Sequence, residues 1–184
     1  MRVEQLPIID FATADRLATN PVVRIGQAVL SAIRLRRCAS VGRRVRTAGR
    51  IWVHGEGRVI ISDDVTLDGS AAPIELFPWA GAELVIGPGT VIGGGTSIEC
   101  TRSIRIGAHV RIGSFSRVID SHFHALIGTR HVRPEPRPVV IGDHAVLGPR
   151  CIVMAGADIA TGMTYGAASI IRQERRRSAR FLRA

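Results

Sequence analysis

The sequence predicts an all-β solenoid, a coil of short strands stacked on one another, and three observations carry that prediction. The units Ile86-Gly-Pro-Gly-Thr-Val, Ile92-Gly-Gly-Gly-Thr-Ser and Ile98-Glu-Cys-Thr-Arg-Ser repeat with a period of six, an aliphatic residue opening each. After a two-residue slip the register resumes at Ile106, Ile112 and Val118, and a last block runs Ile141, Leu147, Val153, Ile159, Tyr165, Ile171. Aromatic residues are only 4% of a chain that is 46% hydrophobic, which suits a core of stacked Ile and Val rather than one built on rings.

Each element follows in chain order. Residues 1–48 form an N-terminal segment in which a helix is expected from about Pro21 to Arg37, with proline at its start and Val22, Ile25, Val29 and Ile33 at helical spacing. That stripe is expected to pack on the first coil; a surface-bound amphipathic helix is the alternative. Residues 49–173 form the solenoid. Ile61-Ser-Asp-Asp-Val-Thr-Leu67-Asp already keeps its grammar, whereas Gly69 to Ala82, with Pro73, Pro78 and Trp79, breaks it and implies a wider turn or an irregular first coil. The glycines at 87, 93, 107, 113, 142, 148 and 166 follow the aliphatic position and are expected at corners where the backbone takes unusual dihedrals. Four residues after each aliphatic the last block places Ala145, Cys151, Ala157, Met163 and Ser169, the mostly small residues that a narrow prism needs. Residues 174–184 are a basic tail.

Composition limits the function classes. At 184 residues the chain suits one domain with short appendages. Cys38, Cys100 and Cys151 are odd in number and lack CxxC spacing, against a disulfide framework or a structural zinc, so a reducing cytoplasm is the expected setting. Glu4, Asp10, Asp15 and Arg16 interrupt any signal-peptide core, and Arg24, Gln27 and Arg34 interrupt the longest apolar stretch. The 25 basic residues are all arginine and the formal charge is +10, concentrated at Arg34 to Arg46 and Arg172 to Arg183. Such ends suit a phosphorylated cofactor, a phosphate-linked acceptor or an acidic membrane face, or serve only to keep the protein soluble. Nucleic acid is disfavoured by the shortage of aromatics for base stacking.

The repeat fails between Val118 and Ile141, where a loop of about 119–140 carries Asp120-Ser-His-Phe-His124-Ala-Leu and a proline-rich return. Loops on rigid scaffolds are where reactive groups are placed, and a histidine there can remove a proton near neutral pH. The runs Gly87-Pro-Gly89 and Gly93-Gly-Gly95 are not a phosphate loop, since no Gly-Lys-Ser/Thr follows and the period accounts for them. His54, His109, His131 and His144 read as surface or interface residues.

The repeat, the Asp120-Ser-His-Phe-His124-Ala-Leu segment, the loop, and Pro138-Val-Val-Ile-Gly-Asp-His-Ala-Val-Leu-Gly148 together resemble the hexapeptide-repeat acyltransferases, nearest the colanic-acid-type and maltose or galactoside O-acetyltransferases. The resemblance spans roughly residues 49 to 173. It implies a left-handed parallel β-helix, against the usual right-handed crossover, and a homotrimer binding acetyl-CoA between subunits. It implies a catalytic His124, matching the final histidine of the family's Asp-Ser-Asp-Phe-His pattern, with His122 in place of the second aspartate; the position of Asp120, four residues earlier, makes it a candidate to orient the imidazole, with Glu135 or a backbone carbonyl as alternatives. Tyr165-Gly-Ala-Ala-Ser-Ile-Ile-Arg172 is similar to the family's closing cofactor strip, so Gly166, Ser169 and Arg172 become candidate cofactor-binding residues, with Gly148, at the end of the Pro138–Gly148 motif, as a fourth. The sequence departs at His144 and Val146, which stand where the family has asparagine and tryptophan, and at Met163 in a corner; these bear on which acyl group is carried.

The expected activity is transfer of acetyl to a hydroxyl of a sugar or glycoconjugate, direct, with His124 as general base and no metal. A γ-class carbonic-anhydrase-like metal enzyme on the same solenoid is a rival, but His122 and His124 are two residues apart rather than five. A non-catalytic polyanion-binding module is the other. The expected location is the cytoplasm, with a peripheral contact at the inner membrane face through the N-terminal helix as a variant.

Overall fold

A computed structural model describes residues 21–121 and 134–173. The chain winds as a left-handed parallel β-helix of about six coils around a triangular core. The first face stacks Ser40–Val41, Arg58–Ile61, Glu83–Ile86, Ser103–Ile106, Val139–Ile141 and Asp158–Ile159 in parallel. The second and third faces are joined into one ten-stranded sheet because Arg46–Val53 and Thr66–Pro78 run unbroken over the corner between them. Every sixth residue does point inward: Ile86, Ile92, Ile98 and Val118 are 0% exposed, and Ile106 and Ile112 are 2% exposed. Each contributes roughly 1.5–3 kcal/mol by burial, realised only when neighbouring coils cover it.

The small positions between the aliphatics close the prism. Thr90, Thr96, Ser116, Ala145, Cys151 and Ala157 are buried. The hydroxyls of these small residues find partners: Thr90 donates to the Gly107 carbonyl at 2.8 Å and Ser116 to that of Gly113 at 2.7 Å. Met163, expected in this set, is instead 44% exposed, because it lies in the last described coil, with no further described coil to pack against.

The glycines after the aliphatic residue are needed for a different reason from the one expected. None of the seven has a positive φ. What excludes a side chain is the next coil: a Cβ at Gly113 would lie 2.5 Å from the Pro149 nitrogen, at Gly142 2.6 Å from that of Thr161, and at Gly148 2.7 Å from that of Ala167. The left-handed conformation falls two residues later, at Gly89 and Gly95, and in later coils at His109, Phe115, His144, Arg150 and Ala168. Gly166, in the last coil, meets nothing within 4 Å.

Three further expectations change. The break from Gly69 to Ala82 does hold a local irregularity, since pairing steps from Gly49 with Gly69 to Ile51 with Ile74, but it lies within a strand and not in the first coil. Thr66–Pro78 is a thirteen-residue strand paired in parallel with Arg46–Val53, with a register shift between Gly49 and Ile51, and Ser40–Val41 and Arg58–Ile61 also precede it. The helix spans Pro21–Arg34, and it docks through a face other than the expected one. Val29, Leu30 and Ile33 are each at least half exposed, while the Ser31 and Thr47 hydroxyls are 3.0 Å apart and Leu35 is buried. Arg34 fixes the contact by donating to the carbonyl and hydroxyl of Thr47, both at 3.1 Å. The side chains of Val22 and Ile25 lie outside the described residues. The basic start is partly neutralised: Arg43 pairs with Asp63 and Arg44 grips Asp64 in a two-pronged contact, which lowers the pKa of that carboxyl and raises that of the guanidinium. Among the described residues no helix is long and apolar enough to cross a membrane.

The steric account separates two glycines that the sequence treats alike. Gly113→Ala is expected to destabilise by about 1–3 kcal/mol, as overpacking does, and Gly166→Ala to change stability by less than about 0.5 kcal/mol. Denaturant unfolding of the two variants checks this.

Candidate functional site

The two-residue slip in the repeat is where the site's frame is built. It falls at Thr101 and Arg102, the corner between the third and first faces, whose turn leaves successive backbone N–H groups pointing into the coil above. The carboxylate of Asp120 fills that nest. Its Oδ1 accepts from the Thr101 N–H at 2.7 Å, and its Oδ2 from Arg102 at 2.6 Å and Ser103 at 2.8 Å. Asp120 is 0% exposed, and these charge-assisted bonds offset the cost of burying it. Asp120 is one of the candidates for orienting the His124 imidazole, and among the described residues its carboxylate is engaged by these backbone amides.

Asp120 also closes the neck of the loop. Its backbone carbonyl accepts from the Arg137 N–H at 2.8 Å, joining the departing and returning ends. Arg137 continues the seam, its carbonyl accepting from Gly156 N–H at 3.1 Å and its guanidinium donating to Gln173 at 2.8 Å. Ser121, the last residue before the loop, is buried. His122 and His124 lie outside the described residues, as does His131, so what the structure fixes is the anchor of their loop. The basic tail from 174 also lies outside them.

The candidate cofactor residues gather at the far edge of the third face, in the last two coils. Gly148 and Gly166 stack where the second face turns into the third, and the Ser169 hydroxyl donates to the Gly166 carbonyl at 2.8 Å. Arg172 follows the buried Ile171 on the third face, near the corner that releases the loop, and is exposed. Gly148 is already required by packing under Ala167, whereas Gly166 leaves open backbone for a ligand to approach.

The cysteines are placed as structural residues. Cys100 and Cys151 are both 0% exposed, with sulfurs directed at the carbonyls of Glu83 and Gly166 at 3.3 and 3.2 Å. Burial, and then the adjacent Asp120 carboxylate, push the Cys100 thiol up to about 12, and burial alone pushes that of Cys38 up to about 11. Among the described residues no three His, Cys, Asp or Glu side chains converge as metal ligands.

One feature is assembled only by the coiling of the chain. Where the first face turns into the second, Gly89, Val91, His109, Arg111, His144 and Val146 line a groove of about 400 Å³. The His109 and His144 rings stack with centroids 5.2 Å apart and planes 13° from parallel. The signal was present in the parallel runs Gly107-Ala-His-Val-Arg-Ile-Gly113 and Gly142-Asp-His-Ala-Val-Leu-Gly148, which one turn of the solenoid superposes.

No family model matches the chain and no curated protein matches it. Solved structures do. A mutant of AntD, an N-acyltransferase from Bacillus cereus, in complex with dTDP and coenzyme A, aligns over 81% of this chain and 80% of its own with a TM-score of 0.55 and 20% identity. A second mutant of the same enzyme, in complex with the same two molecules, gives 0.54 and 19% over 80% of each chain. The likeness is one of fold.

Two outcomes follow from the frame. Asp120→Asn, which removes the charge from a three-amide nest, is expected to cost about 1.5–3 kcal/mol in denaturant unfolding. In the native protein at pH 8 none of the three thiols should react rapidly with a disulfide reagent, and all three should do so once the chain is unfolded.

Proposed function

We propose that the protein is an acyl-CoA-dependent acyltransferase that moves acetyl from acetyl-CoA to a hydroxyl of a sugar or glycoconjugate, with His124 as general base. The observation that carries this reading is the loop neck. The Asp120-Ser-His-Phe-His124 segment, which resembles the acyltransferase motif, leaves the solenoid at a point where Asp120 is held by three backbone amides and its own carbonyl ties down Arg137. A base four residues from so fixed an anchor can be held in one place, as proton transfer requires. In this reading Asp120 is a positioning residue acting through the neck, and His122 is the second imidazole of the same segment.

The transfer is direct. His124 takes the proton of the acceptor hydroxyl as its oxygen forms a bond to the thioester carbonyl carbon. The tetrahedral intermediate collapses with loss of the C–S bond, and the proton passes to the departing coenzyme A sulfur. A covalent acyl-enzyme on cysteine is disfavoured by the geometry, since Cys100 and Cys151 are sealed in the core. For the donor, the open backbone at Gly166 and the exposed Arg172 guanidinium supply an approachable edge and a phosphate partner. A homotrimer would set the loop of one protomer against that edge on its neighbour.

The likeness to AntD, whose structures hold coenzyme A and dTDP, supports the donor class and favours one second reading: transfer to an amine of a nucleotide-linked sugar. A thiol-release assay with acetyl-CoA across sugars, amino sugars and sugar nucleotides separates the two. His124→Ala is expected to lower turnover about 10²–10⁴-fold with an unchanged unfolding midpoint. Near-normal turnover in that variant, or no thiol release with any acceptor, would overturn the reading.

A further inference from the structure

We propose that the groove between the first and second faces is a binding site for a phosphate-ester anion, built by His109, Arg111 and His144. Two coils set its cationic side. The pairing of the second face aligns Val91, Arg111 and Val146 in successive coils, so the Arg111 side chain runs between two short apolar walls. One corner residue away, His109 and His144 stack in the same two coils, and both are exposed to the groove. A guanidinium fork with two imidazole N–H donors beside it matches the oxygens of a phosphate or diphosphate.

The surroundings favour an anion there. Among the described residues, none that lines the groove is acidic. The nearest carboxylate in the same turn, Asp143, is turned to the backbone, where its Oδ1 accepts from the Ala108 N–H at 2.7 Å. Gly89 makes room: a Cβ there would meet the His109 ring, its Cε1 at 2.7 Å. His144 and Val146 line the same groove. The groove is distinct from the loop neck at the third corner and from the strip at Gly166, and the inference stands whether or not acyl transfer is the reaction.

Phosphate esters could reach the groove as the diphosphate of a nucleotide-linked acceptor or as the phosphates of coenzyme A, and the test separates them. Isothermal titration of the full chain at low salt uses inorganic pyrophosphate, dTDP and coenzyme A. It compares the parent with Arg111→Gln and with the double variant His109→Gly, His144→Gly. Glycine is the residue this corner already carries at Gly89 and Gly162, both with positive φ, so the double variant should fold as the parent does. Both variants are expected to bind pyrophosphate about tenfold or more weakly than the parent. A parallel loss for dTDP alone assigns the groove to the acceptor's nucleotide, and a parallel loss for coenzyme A alone assigns it to the donor. Absence of pyrophosphate binding by the parent, or unchanged affinity in both variants, overturns the proposal. Because the readout is heat of binding rather than turnover, it is independent of whether His124 acts as a base.

Discussion

The spacing between stacked coils governs this molecule. Parallel strands hydrogen-bonded at about 4.8 Å leave little room between backbones at the corners, so at several of them the residue after the inward aliphatic cannot carry a side chain. Gly113, Gly142 and Gly148 obey that rule against Pro149, Thr161 and Ala167, and Gly166 escapes it because no described residue packs over it. The same contact pattern explains why the core tolerates threonine and serine: a hydroxyl at a corner lies within reach of a carbonyl one coil along.

The constraint also explains how a long loop can be hung on a tube. Inserting such an excursion into a solenoid threatens the register of every later coil. Here the insertion is placed beside the corner that already holds two surplus residues, and a single aspartate serves both. Its carboxylate satisfies the surplus amides while its carbonyl rejoins the chain across the excursion. After it, Val139 to Ile141 return to the register of Ile104 to Ile106 with no shift. The anchor thereby ties folding of the corner to placement of the loop.

Outward positions are where the solenoid acquires its chemistry, because the inward ones are fully committed to packing. One turn of the coil superposes residues that the sequence separates widely, so side chains from Gly107–Gly113 and Gly142–Gly148 meet although the whole loop intervenes. The third face edge with Gly166 and Arg172, the loop neck at Asp120, and the groove of His109 and His144 are three separate outer features of one rod. Arginine is the cation at each of them, a planar fork suited to phosphate as no other side chain in this chain is.

The hexad period alone was enough to determine the solenoid, its inward column from Ile86 to Ile171, and the interval in which a loop must leave, because a repeat of six has one way to bury an aliphatic residue in every short strand. It also marked Asp120 and the post-aliphatic glycines as special without revealing why. The reasons lay in contacts between residues a full turn apart: a coil above that excludes a Cβ, three amides around a carboxylate, two imidazoles in stack. The docking face of the N-terminal helix was decided in the same way, since Ser31 and Arg34 found partners on Thr47 that outweighed the apolar stripe suggested by spacing. Local pattern records what each residue would bury; which neighbour it meets is set only when the coils close on one another.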